Sequence, residues 1–81
     1  MTIQEIMQRI DNIAYSAVAV IKVECPYAMT VCSQSGVDAV RYIAHVDTDS
    51  IVICIPKKTH PSKYAPLINA IAQFTTDMTI I

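Results

Sequence analysis

The stretch Tyr27 to Ile55, YAMTVCSQSGVDAVRYIAHVDTDSIVICI, decides how this chain folds. Near its end, Asp47-Thr48-Asp49-Ser50 is a run of turn formers, whose short polar side chains hydrogen-bond to nearby backbone. Folding the chain there pairs Val46 with Ile51, Ala44 with Ile53 and Tyr42 with Ile55, so one face of the hairpin is wholly apolar. The opposite face receives Arg41, Ile43, His45, Val52 and Cys54. Upstream, Ser33-Gln34-Ser35-Gly36 contains the chain's single glycine, the residue best able to take the positive φ of a tight turn. A turn there places Tyr27, Met29 and Val31 on the same face as Val40 and Tyr42. The two turns therefore agree on which face is core, and a one-residue slip would invert every side chain. A competing reading coils Gly36 to Val46 into a helix, with Ser35 as cap and Asp38 in the first turn. The density of Val, Ile and Tyr favours strands.

Outward from this meander, the amino-terminal segment reads as an amphipathic helix. Thr2 and Glu5 have capping-box spacing. Ile3, Ile6, Met7, Ile10, Ile13, Ala14 and Ala17 then share a stripe at helical period. Beyond Val18 the phase fails, and the β-branched run to Val23 favours a strand over a continued helix. On the carboxyl side, Pro56 ends the last strand of the meander because proline cannot donate to a ladder. Lys57 to Lys63 is a polar connector, Pro66 suits the first turn of a second helix, and Leu67, Ile71, Phe74 and Met78 recur at helical spacing. The apolar ending Met78-Thr79-Ile80-Ile81 is suited to docking or pairing. The expectation is a single α+β domain over residues 1–81. It has two layers: an antiparallel β-meander of three to four strands, with the amino- and carboxy-terminal helices on one face (α-β-β-β-β-α or α-β-β-β-α).

Composition narrows the function classes. The chain has 81 residues, 53% of them hydrophobic, with six basic against seven acidic side chains and a net charge of −1. No global field draws such a chain to nucleic acid or an anionic membrane. The longest apolar run is far short of a membrane span, and Glu5 with no basic leader region argues against a signal peptide. Three cysteines without C-x-x-C spacing fit reduced thiols rather than a disulfide framework, so a soluble, cytoplasmic protein is expected.

Candidate chemistry is sparse. Cys32, His45 and Cys54 include zinc-type ligands, but their spacings match no ligand motif and a fourth ligand is lacking. Cys32 or Cys54 with His45 and Asp38 or Asp47 could assemble a nucleophile, base and orienter, though nothing singles out one pairing. Ser33-Gln34-Ser35-Gly36 lacks the pattern of a phosphate loop. No catalytic residue, metal or cofactor is expected, and an enzyme is not. The basic connector Lys57, Lys58, His60 and Lys63 carries the alternative reading, a nucleic-acid or phosphate-backbone binder. Its place before the second helix is similar to that of lysines in double-stranded-RNA-binding domains, whose K-K-x-A-K pattern and glycine-rich start to the sheet are absent here. The leading expectation is a non-catalytic protein-interaction domain, homodimeric, acting as a small inhibitor, adaptor or regulatory protein. Arg41, Ile43, His45, Val52 and Cys54 are the expected contacts, with a second copy and another protein as partners and no membrane.

Overall fold

Strand β1 (Ala19–Glu24) is the element around which the protein is assembled. The computed structural model describes residues 2–34 and 41–81. Along β1, Ala19, Ile21 and Val23 are buried while Lys22 and Glu24 are exposed, the alternation of a strand covered on one face only. Strand β3 (Ser50–Ile55) runs antiparallel along its full length, from Ala19 opposite Ile55 to Glu24 opposite Ser50. On the other side β1 pairs antiparallel with the short β4 (Met78–Ile80), Ile21 opposite Ile80 and Val23 opposite Met78. Strand β2 (Ile43–Val46) completes the sheet beside β3, giving the order β2-β3-β1-β4.

Among the described residues three helices lie between and before these strands: α1 (Ile3–Ala14), α2 (Ala28–Gln34) and α3 (Pro61–Ala72). The sequence order is α1-β1-α2-β2-β3-α3-β4. From β1 onward this is β-α-β-β-α-β, two interlocked split-βαβ units in the ferredoxin-like order. The expected class holds: two α+β layers, four antiparallel strands, and amino- and carboxy-terminal helices over one face.

Local sequence explains each helix. Thr2 caps α1, its hydroxyl oxygen accepting from the Glu5 N–H at 3.2 Å, and Ile6, Ile10 and Ala14 are buried at four-residue spacing. His60 caps α3, with Pro61 in the first turn where its missing N–H breaks no helix bond. Tyr64, Leu67, Ile68 and Ile71 form the buried stripe of α3. They meet Ile6 and Ile10 of α1, Ala28 and Val31 of α2, and the inner row Ile21, Ile51, Ile53 and Ile55 of the sheet in one core.

The structure revises the sequence reading at four places. Residues 28–34 are helical, so Tyr27, Met29 and Val31 do not form the first strand of a meander. Val31 is buried, whereas Tyr27 and Met29 are both 68% exposed. Within β2, Val46 faces Ile51 as expected, but an extra residue, Ala44, interrupts the ladder, so Ile43 rather than Ala44 stands opposite Ile53. The second helix begins at Pro61, which leaves Pro66 inside it. It ends at Ala72, so Phe74 is half exposed and Met78 belongs to β4. The proposed turn at Ser33–Gly36 and the start of the segment 37–46 fall partly outside the described residues; Ser33 and Gln34 close α2, and 43–46 is strand.

Tyr64 carries a testable cost. Its side chain is fully buried, and its hydroxyl has no hydrogen-bond partner among the described residues. Burial, with a smaller contribution from the Asp11 carboxylate, raises its pKa above the ordinary 10.0. A buried hydroxyl that gave up water without gaining a partner stabilises nothing, so Tyr64→Phe is expected to hold or raise stability by about 1 kcal/mol at neutral pH. The raised pKa means the folded state resists ionisation. The associated stability is therefore intact below pH 10.0 and is lost as pH rises through the folded value. The phenylalanine variant should lose less stability above that pH, as read from urea midpoints on both sides of it. A variant less stable by more than about 1 kcal/mol at neutral pH would show that the hydroxyl is bonded after all.

Candidate interaction surface

With the helices gathered on one side, the opposite face of the sheet has no covering element among the described residues. Three rows of outward side chains cross it. The middle row runs His45, Val52, Lys22, Thr79. Toward the start of β1, Cys54 lies beside Val20, whose carbonyl accepts from the N–H of the 75% exposed Ile81. Toward the end of β1, Ser50 lies beside Glu24. Val20, Val52 and Cys54 screen one another and are each half-buried, forming an apolar centre bounded by polar side chains. Lys22 Nζ and Glu24 Oε1 stand 3.5 Å apart, and His45 Nε2 and Asp47 Oδ2 3.6 Å apart. Both pairs are well exposed and contribute little to stability.

Charge is unevenly distributed along the strands. At one end of the sheet, Asp47 bonds through its N–H to the Ser50 carbonyl, the Asp49 carbonyl accepts from Cys25, and the Asp77 carbonyl accepts from Glu24. Together with Glu24, four of the chain's seven acidic residues meet there. At the other end, β3 runs through Pro56 into the exposed Lys57 and Lys58.

Of the five expected contact residues, His45, Val52 and Cys54 share this face. Ile43 does not. The bulge at Ala44 turns it toward the helices, where it packs against the core and, with Met29, Cys32 and Val46, lines a cleft between α2 and β2. Arg41 is exposed just ahead of β2. The reading from sequence missed Val20, Lys22, Glu24 and Thr79. Their alternation along β1 and β4 was visible, but not that these strands join β3 on one surface.

The basic connector is differently engaged. Lys57, Lys58 and Lys63 are exposed, but His60 is spent on capping: its Nδ1 accepts from the Ser62 N–H at 3.1 Å. Asp11 shares a surface cleft with Lys58 and His60, placing a carboxylate where a phosphate would approach. The three cysteines are free and spread through the fold: Cys25 is buried at the end of β1, Cys32 lies on α2 and Cys54 on the open face. No group of three metal-ligating side chains comes together among the described residues. Burial, reinforced by Cys25, raises the Cys32 thiol above its ordinary pKa, which disfavours the reactive thiolate. Among the described residues no helix is long and apolar enough to cross a membrane. Comparison with family models, with curated proteins and with solved structures finds no match to this chain.

Proposed function

We propose that this chain is a non-catalytic protein-interaction domain that works by presenting the open sheet face to another protein, as a small inhibitor, adaptor or regulatory subunit would. The observation that carries this reading is the asymmetry of the sheet. One face is covered by the described helices, while the other keeps an apolar group of Val20, Val52 and Cys54 beside the central Lys22, with Glu24, His45 and Thr79 around them. An apolar centre with a polar, charged rim is the usual anatomy of a protein–protein contact. The nucleic-acid alternative has weaker support, because three exposed lysines, one of which shares a cleft with Asp11, offer few phosphate contacts.

A photo-reactive amino acid at position 52, with a control at the exposed Asn69 of α3, tests the reading in host lysate. The domain should form protein adducts of defined mass through position 52 and none through position 69. Equal labelling at both positions, or no adduct at 52, would defeat it.

A further inference from the structure

We infer that the cleft between the end of α1 and the start of α3 binds a small zwitterion, a free α-amino acid with an apolar side chain. The site lies in the helix layer and goes beyond the interaction reading, which concerns the open sheet face. Asp11 and Tyr15 stand on the α1 side of the cleft, Lys58 and His60 on the side that leads into α3. Its volume of about 540 Å³ falls in the range of small-molecule sites.

The charges in this cleft are opposite and unspent. Neither the Asp11 nor the Lys58 side chain has an ion-pair or hydrogen-bond partner among the described residues. Asp11 is half-buried, and a carboxylate that has given up water without a partner gains from a ligand that brings a cation. Lys58 holds left-handed backbone, with φ at 65°, a conformation that costs a non-glycine residue energy and concentrates at functional sites. His60 accepts the Ser62 N–H at Nδ1, so the neutral ring carries its proton on Nε2, which is left as a donor. Tyr64 is fully buried with no partner for its hydroxyl among the described residues, and it lies within the field of the Asp11 carboxylate. Such an orphan is rare in a folded core and calls for a function. Tyr15 is 82% exposed beside these groups, an aromatic ring open to an apolar side chain.

The pattern selects the ligand class. A simple anion is repelled by Asp11, and the first turn of α3 offers it no amide. Pro61 has none, that of Ser62 goes to His60 Nδ1, and that of Lys63 to the His60 carbonyl. A simple cation meets Lys58. A molecule with both charges on one carbon satisfies each: its ammonium donates to Asp11, and its carboxylate accepts from Lys58 Nζ and His60 Nε2. Its side chain then rests on Tyr15. Both charged walls face water, so the pairing is modest and a dissociation constant of about 0.1–1 mM is expected.

Titration of the isotope-labelled chain with L-phenylalanine, followed by amide shifts, tests the site. Saturable shifts should concentrate at residues 11–15 and 58–61. Phenethylamine lacks the carboxylate, hydrocinnamate lacks the ammonium and glycine lacks the ring; each should bind about tenfold more weakly. Asp11→Asn and Lys58→Gly should each weaken phenylalanine binding about tenfold, and Tyr15→Ala should lower it to the level of glycine. Glycine keeps the backbone amide at 58 and suits its left-handed conformation, so the urea midpoint of Lys58→Gly should not fall. That separates loss of the charge from loss of the fold. No saturable shift up to about 10 mM, or shifts spread evenly over the surface, would overturn the site. Equal affinity for either singly charged analogue overturns the zwitterion, as does undiminished binding by both charge variants. Adduct formation through position 52 is independent of all these outcomes, so the open-face reading stands or falls separately.

Discussion

Replacing Ile53 with alanine is expected to remove about 2–5 kcal/mol of stability, a large share of what a domain of this length possesses. Ile53 is fully buried in β3, opposite Ile21 of β1 and Ile43 of β2, so it touches the middle of the core from three adjacent strands. Truncation to a methyl group loses the transfer free energy of three carbons and opens a void that the surrounding isoleucines cannot fill, since neighbouring strands hold fixed spacing. An 81-residue chain with a stability on the order of 0.05–0.15 kcal/mol per residue has little reserve for that loss. In urea, the midpoint should fall sharply with an unchanged slope, while Val52→Ala, one residue away on the open face, should cost less than about 1 kcal/mol. Similar costs at the two positions would contradict the inward and outward assignment of β3.

The second large effect comes from the backbone at a residue whose side chain matters little. Lys22 is exposed, but β1 has a strand on each side. The N–H of Glu24 bonds to Asp77 and that of Ile81 to Val20, so the even-numbered residues of β1 turn their polar groups toward β4. Proline at 22 deletes a ladder donor in an interior strand and presses its ring against Ile21. A loss on the order of 3 kcal/mol or more is expected, with β4 released from the sheet. Lys22→Thr keeps the donor and suits a strand, so it should shift stability by less than about 0.5 kcal/mol. Thermal unfolding of the pair separates the contributions. If proline and threonine behave alike, β4 does not pair with β1.

The parts of this fold legible in the sequence are those where one physical signal stood alone. Thr2 and Glu5 marked the start of α1, and the turn formers at 47–50 fixed Val46 opposite Ile51. Two competing periods defeated the reading at α2. Tyr27, Met29 and Val31 recur every second residue, Ala28 and Val31 every third, and the small Ala28 carries little hydrophobic weight although it is fully buried. Only contact with the rest of the core decides between them. The bulge at Ala44 is invisible to any alternating pattern, because an extra residue inside a strand looks like continued alternation. That single residue moved Ile43 off the open face. The surface itself was half legible: Ile51, Ile53 and Ile55 fix the parity of β3 and therefore the outward direction of Val52 and Cys54. Val20, Lys22 and Thr79 joined them only because β1 is interior to the sheet, and a strand's neighbours are a property of topology rather than of local pattern.

Lys58 has left-handed backbone, with φ at 65°, and from that conformation its N–H reaches the carbonyl of Ala14 at the end of α1. A non-glycine residue adopts such a conformation at a cost, and here it gives an otherwise orphaned helix carbonyl its donor. The first helix is thereby latched to the loop that leads into the last one. The end of the first helix and the loop ahead of the last one therefore share a tie, which favours their opening together over either moving alone.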